Sequence, residues 1–298
     1  MKRQNLKVLS ACAGIMCATL CLNACGANAG NNPNTFILEN PASGKTQEQE
    51  ITETDIVVSD TNSDITVTIK APDDVELTTE DGTLYYTITC SYPVVFINGN
   101  EAAAEKINAD ILSRVDAFNT GVNIQAETAK EDFEYMLDDG VQPPMPYSSD
   151  LSFTVTRADD NVIAFTENSY EYMGGAHGMP GTTGINYNTK TGELITFTEL
   201  SDNPDAFRAD TLAYNQALAQ TEYYNMQLFN TDDITNGTLE QVLYADGMWY
   251  LSTSGLVFMS PPYALAPYSS GTLEFTIPYG DLKGMGFKEA YTYTADNL

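Results

Sequence analysis

The chain has 298 residues, and 41 Asp+Glu against 13 Lys+Arg with a single His give a formal net charge of −28 at pH 7. A field that acidic repels nucleic acid and anionic lipid surfaces, whose recognition needs basic patches that release counterions, and it favours a basic partner. Hydrophobic residues at 43%, among them 18 Tyr and 12 Phe, supply one sizeable core or two modest ones and exclude global disorder.

The first segment starts basic (Lys2, Arg3, Lys7), runs apolar from Val8 to Leu22 and ends in Leu22-Asn23-Ala24-Cys25-Gly26. This is the pattern of a bacterial lipoprotein signal, in which cleavage before the cysteine exposes the thiol that is lipidated. The apolar stretch is short for a spanning helix. Residues 1–24 are therefore predicted to be a signal peptide and Cys25 the lipid anchor, holding the protein on the extracytoplasmic face of a bacterial envelope; an ordinary secretory signal cut nearby is the alternative. Losing three basic residues and no acid takes the formal charge from −28 to −31. Cys12, Cys17 and Cys21 leave with the signal, so Cys90 stands alone and no intrachain disulfide is expected. Cys90 ends the alternating run Tyr85 to Cys90 and reads as a small buried hydrophobe on a strand.

From Gly26 to about Glu50 the chain is rich in Asn, Ala, Gly, Gln and Thr, and residues 25–50 are expected to form a flexible tether. Strands are predicted at Ile65 to Ile69 and at Leu84 to Pro93, with a turn at Glu80-Asp81-Gly82 before the second. A helix follows from an Asn98/Glu101 capping box, with Ala103, Ile107, Ile111, Val115 and Phe118 as its core stripe. A second helix is predicted over about Ala126 to Leu137, ended by Gly140 and the Pro143-Pro144-Met145-Pro146-Tyr147 run. A unit boundary is placed there, giving units 51–147 and 148–298.

The second unit reads as strands at Leu151 to Thr156 and Asn161 to Tyr172, then Met173-Gly174-Gly175-Ala176-His177-Gly178. A hairpin of Ile185 to Asn188 and Leu194 to Phe197 follows, with Gly192 at a positive-φ position of its turn. Helices are predicted at Pro204 to Leu218 and from a Thr238 to Gln241 capping box, then strands at Met248 to Ser252, Gly255 to Met259 and Thr272 to Pro278. Hairpins and helices alternate without a βαβ repeat, which argues for an α+β fold of antiparallel sheets covered by helices, in two associated subdomains.

Gly174-Gly175-Ala176-His177, Tyr187-Asn188-Thr189-Lys190-Thr191-Gly192, Ala264-Leu265-Ala266-Pro267-Tyr268-Ser269-Ser270-Gly271 and Phe275-Thr276-Ile277-Pro278-Tyr279 resemble the RsiV-like C-terminal domain. Tyr92-Pro93-Val94 and the helix from Glu101 resemble the module named after the deacetylase PdaC. The resemblance implies an extracytoplasmic module: in RsiV anti-sigma factors it binds lysozyme, and in PdaC-type proteins it precedes a separate deacetylase domain. Signalling across the membrane is not expected to transfer, because the chain reads straight into a lipoprotein signal. Deacetylation is not expected either, since a carboxylate and two His cannot be assembled from one His.

The remaining chemistry is thin. His177 and Cys90 are too few ligands for a zinc site, no GxSxG elbow accompanies His177, and 41 acids place some pair at glycosidase spacing by chance. Asp232-Asp233-Ile234-Thr235-Asn236-Gly237 misses the EF-hand spacing and reads as a solvated turn. No cofactor or metal is expected. The candidate site is a surface: Gly174, Gly175 and His177 in one loop, Pro262, Tyr263, Pro267 and Tyr268 in another, where rigid backbone carries aromatic rings. These tyrosines either plug a sheet end or form an interface, and Tyr244, Trp249 and Tyr250 either extend the patch or belong to the core. The expected function is non-enzymatic binding of an extracellular protein, with a lysozyme-like cationic enzyme the sharpest candidate, or of wall peptidoglycan; the alternative is a cell-wall glycan hydrolase using unidentified carboxylates.

Overall fold

The computed structural model describes residues 35–40, 45–50, 56–58, 64–141 and 145–293. Seven strands come first: β1 (Thr35–Asn40), β2 (Lys45–Glu50), β3 (Ile56–Val58), β4 (Ile65–Lys70), β5 (Val75–Thr78), β6 (Leu84–Cys90) and β7 (Tyr92–Ile97). Helix α1 (Glu101–Asp138) leads to β8 (Tyr147–Ala158), β9 (Val162–Tyr172) and β10 (Met179–Asn188). Then come α2 (Pro204–Ala219), α3 (Glu222–Asn225), α4 (Thr238–Leu243), β11 (Trp249–Leu251), β12 (Gly255–Ser260), β13 (Leu273–Pro278) and α5 (Tyr279–Leu282).

The central sheet has the order β10-β9-β8-β6-β5, beside three-stranded sheets β3-β4-β7 and β11-β12-β13 and the hairpin β1-β2. Among the described residues all strand pairings are antiparallel except β6 with β8, where a helix, α1, supplies the long crossover a parallel pair needs. The fold is α+β, as expected. Strands on both sides of residues 147/148 pair in this central sheet, Tyr86 opposite Tyr147 and Cys90 opposite Leu151.

Two cores share that sheet. Ile107, Ile111, Val115, Val122, Ala126, Ala129 and Phe133 of α1 pack with Tyr85, Ile88, Val95, Ile163, Phe165 and Tyr187. On the other side Val162 and Ala164 join Phe207, Leu243, Trp249, Phe258 and Phe275. Alternation along β9 thus sends Ile163 and Phe165 to one core and Val162 and Ala164 to the other, which is why Val162-Ile163-Ala164-Phe165 is continuously apolar.

Four details correct the sequence reading. One 38-residue helix replaces the two predicted; its buried face runs on through Asn119, Val122 and Ala126, and that burial outweighs the roughly 1 kcal/mol that Gly121 costs in a helix interior. Neither capping box forms. Asn100 is the N-cap of α1, and its amide donates to the Thr189 and Lys190 carbonyls, while Asn98 donates to Asp64; at α4, Gly237 is the N-cap and Asn236 accepts from the Thr238 amide. The run Leu84 to Pro93 is two strands that change sheet at Ser91, whose amide donates to the Leu151 carbonyl, and Pro93 sits on an edge strand, where it withholds no ladder bond. Within the stretch expected as tether, Thr35–Asn40 pairs antiparallel with Lys45–Glu50; Phe36-Ile37-Leu38 has the composition of a strand.

Gly192 has φ +71, and a Cβ there would lie 2.5 Å from the Ala103 carbonyl oxygen. The predicted hairpin turn is therefore pressed against the start of α1, a fit only glycine permits. The edge of β11 is bound to the central sheet by side chains. Buried Asn186 accepts from the Leu251 amide at 2.7 Å, and Thr156 donates to the Leu251 carbonyl at 3.0 Å.

Candidate binding surface

Strand β9 ends at Tyr172, and the loop to β10 turns back on it. Gly174 and Gly175 have φ +87 and +92, the Tyr172 hydroxyl donates to the Gly175 carbonyl, and the Tyr170 hydroxyl accepts from the Gly178 amide at 3.2 Å. A Cβ on Gly178 would lie 2.4 Å from the Tyr170 ring. Glycine there lets the loop close on Tyr170, and His177 is left on the outside, exposed.

The second loop leaves β12 through Pro261-Pro262. Its turn is closed by the Ala264 amide on the Pro261 carbonyl and the Tyr263 amide on the Ala266 carbonyl. Leu265 and Ala266 are buried in the second core and the Phe229 amide bonds the Leu265 carbonyl, so the loop is anchored at its centre. Tyr263 has φ +68, the sole non-glycine positive φ among the described residues, and its side chain is exposed. Such a backbone costs a tyrosine about 1–2 kcal/mol.

The two loops, 86 residues apart at their meeting point, come together through their rings. The Tyr263 hydroxyl lies 3.1 Å from His177 Nε2. Tyr268 stacks on His177 with centroids 4.0 Å apart and planes 22° apart; Tyr263 is 6.3 Å from His177 at 29° and 5.7 Å from Tyr268 at 35°. His177 Nδ1 is 2.9 Å from the Gly178 carbonyl. A carbonyl only accepts, so Nδ1 carries a proton, and in the neutral ring Nε2 accepts from Tyr263. Of the seven candidate residues, then, His177, Tyr263 and Tyr268 form one stack, Gly174 and Gly175 shape the first loop, and Pro267 starts the 3-10 turn that carries Tyr268. Pro262 is buried and braces the second loop without presenting a surface.

Acidic groups border this end of the sheet. The Tyr147 ring would touch a Cβ on Gly174 at 3.2 Å, and the Tyr147 hydroxyl donates to Asp132 at 3.3 Å. Glu171, opposite Met179 in the β9–β10 ladder, accepts from Gln125, and burial raises its carboxyl above the ordinary value. The last third of α1 carries Glu127, Glu131, Asp132, Glu134 and Asp138 against Lys130, which pairs with Glu134 at 3.7 Å. No base sits in the last turn, so side chains and helix dipole add negative potential at the same end.

The other candidates go elsewhere. Cys90 is buried on β6, and burial pushes its thiol up to about 12. Trp249 and Tyr250 are buried, and the Tyr244 ring packs against Phe197 and Phe258, which settles these three as core. The 232–237 segment is an Asn-braced turn: Asn230 accepts from the Asp232 amide and Asn236 donates to Asp233. Among the described residues no group of three or more His, Cys, Asp or Glu gathers as a metal would need. Cys25 lies outside the described residues. Sequence reasoning missed the exposed Met179 and Phe229 beside the two loops; their apolarity reads as core, and only the backbone bond from Phe229 to Leu265 reveals its neighbourhood.

Residues 79–180 match the family model described as deacetylase PdaC, and residues 201–280 match that of a protein of unknown function, DUF3298. No curated protein matches. Among solved structures, a DUF3298 family member from Bacteroides fragilis is similar at 19% identity, covering 78% of this chain and 94% of its own, with a TM-score of 0.52. A DUF3298 family protein from Pseudomonas aeruginosa is also 19% identical, covering 76% of this chain and 96% of its own, with a TM-score of 0.48. The chain thus carries a PdaC domain followed by a DUF3298 domain, on the α+β fold of the Bacteroides protein.

Proposed function

We propose that this protein is a lipid-anchored, extracytoplasmic binding module, without catalysis of its own, that docks a basic extracellular protein on the ring-bearing end of its central sheet. The observation that carries the reading is the meeting of the His177 and Tyr263–Tyr268 loops in one exposed stack beside an acidic helix end. Rigid tyrosines give large contact area at low entropy cost, and they are enriched where protein interfaces concentrate their energy. The net charge of −28 steers a cationic partner and speeds encounter more than it tightens the final complex. The resemblance to RsiV-like domains makes a lysozyme-like enzyme the first partner to try. Wall peptidoglycan is the second ligand class, and a glycan hydrolase the alternative activity.

The test is binding of the processed chain (residues 25–298, Cys25→Ser) to a c-type lysozyme at low and at about 0.15 M salt. A docked complex survives the higher salt, and His177→Ala/Tyr263→Ala/Tyr268→Ala weakens it by about 2 kcal/mol or more, the scale of an interface hot spot. Binding that disappears with salt reduces the attraction to charge alone. Turnover of purified peptidoglycan, abolished by one Asp or Glu substitution, would replace the binding reading with the hydrolase.

A further inference from the structure

We infer that the His177–Tyr263 plate is an arginine subsite: it seats the guanidinium of a partner's arginine side chain against its ring faces. The inference rests on the proposed docking of a basic protein and names the group that protein presents. Its basis is the form of the plate. Two rings 29° from coplanar are joined edge to edge by the Tyr263–His177 hydrogen bond, and Tyr268 backs His177 at 4.0 Å. The loop backbones hold it there, Gly178 closed on Tyr170 and Leu265 plugged into the core.

The polar edges of the imidazole are already spent. Nδ1 bonds the Gly178 carbonyl and Nε2 the Tyr263 hydroxyl. A ligand recognised through in-plane hydrogen bonds, as a saccharide hydroxyl would be, therefore finds no free ring nitrogen. The face of the plate away from Tyr268 remains, and a ring face attracts a cation through its quadrupole. A planar, weakly hydrated guanidinium stacks on such a plate, whereas a compact, strongly hydrated ammonium gains less.

The chain makes the same pairing internally. Arg208 lies 4.2 Å above the Tyr244 ring and Arg157 is 5.6 Å from Tyr279, so arginine over tyrosine recurs within this fold. No cation–π contact among the described residues uses His177, Tyr263 or Tyr268. Glu171 and Asp132, acidic groups at the same sheet end, favour a cation there.

Because the chain has a single His, its imidazole resonances report on the plate without assignment. The processed chain, free of any histidine tag, is titrated with hexa-arginine amide and hexa-lysine amide at about 0.15 M salt. The expected result is a saturable shift of the His177 ring signals and roughly two- to fivefold tighter binding of the arginine peptide, the range of an exposed cation–π contact. Tyr263→Leu brings the two peptides to parity at unchanged thermal midpoint, and Tyr263→Phe, which keeps the ring, retains the preference. Equal affinity in the parent, a preference that survives Tyr263→Leu, or a His177 shift produced by chitotriose instead would each overturn the arginine subsite. Lysozyme binding lost in the triple alanine variant without any arginine preference would sink this inference and leave the proposed function standing. An arginine preference without lysozyme binding would keep the subsite and reject that partner.

Discussion

Arg157 and the His177 stack use tyrosine rings in opposite ways. At Arg157 the chain supplies its own guanidinium, almost wholly buried at 1% exposure, with bonds to Asp159 at 2.5 Å, the Tyr279 hydroxyl at 2.7 Å and the Tyr291 carbonyl at 2.6 Å. A bulge puts it there: Val155 faces Phe165 but Arg157 faces Ala164, so the extra residue turns Arg157 toward the second core. Its cation fixes the last described segment to β8. At the stack Tyr263 bonds the His177 edge and Tyr268 lies on one His177 face, and among the described residues no cation of the chain sits on these rings. Substitution at the first place is expected to register as stability, and at the second as binding.

The largest effect is expected from Arg157→Ala. It removes the donor to Asp159 Oδ2, whose Oδ1 keeps the Asn161 and Val162 amides, and the donor to the Tyr291 carbonyl; breaking this largely buried ion pair costs on the order of 3–5 kcal/mol. Urea denaturation measures it, and early exchange of amides near Tyr291 would show that the C-terminal segment is released first. A loss below about 1 kcal/mol would show that this region is stabilised by apolar packing alone.

Tyr187→Phe ranks next. The Tyr187 hydroxyl donates to Asp110 at 2.6 Å beneath α1, and Arg114 joins Asp110 to Glu167. Losing a hydrogen bond to a charged acceptor costs about 1.5–3 kcal/mol. The same burial gives a pH dependence. It raises the hydroxyls of Tyr187 and Tyr250 well above 10 and those of Tyr86, Tyr244 and Tyr279 to about 12. The unfolded chain releases these protons near pH 10 and the folded one later, so stability is full below pH 10 and falls as pH rises through about 12. A urea midpoint that stays flat from pH 9 to 12 would contradict these raised values.

How far the sequence discloses each region follows from the kind of physics involved. Period-2 and period-3.6 patterns are local, so β4, β9, α2 and the Gly192 turn are legible from side-chain order alone, although the strand expected at Leu194 to Phe197 is reduced to a bridge at Leu194 before a 3-10 turn begins at Phe197. The split of Leu84 to Pro93 between two sheets is not, because Tyr85, Tyr86 and Ile88 look the same whichever partner strand they meet. Capping fails for a related reason: Asn100 has the chemistry of a cap, but its amide finds the Thr189 and Lys190 carbonyls, nearly ninety residues on. Both site loops stand out as Gly- and Pro-rich segments bearing rings. Their meeting is tertiary, and nothing local in Glu127 to Asp139 signals that this charge run borders them.

The smallest change in stability, and the sharpest separation of the two roles, is expected from Tyr263→Gly. Glycine removes about 1–2 kcal/mol of left-handed backbone strain. It gives back roughly 0.5–1 kcal/mol in unfolded-state entropy and also loses the contacts of a half-exposed ring. The terms nearly cancel, so the thermal midpoint should move by only a few degrees in either direction. Binding should behave differently, because the ring and its bond to His177 are gone while Pro262, Leu265 and Ala266 still hold the loop. A tyrosine at φ +68 has no advantage for the turn itself, and on the proposed docking its use is the contact its ring would offer a partner. A Tyr263→Gly variant that binds a basic partner as tightly as the parent, at equal stability, would remove the reason for that strain. The plate would then be a lid over the sheet end, as Tyr279 is over Arg157.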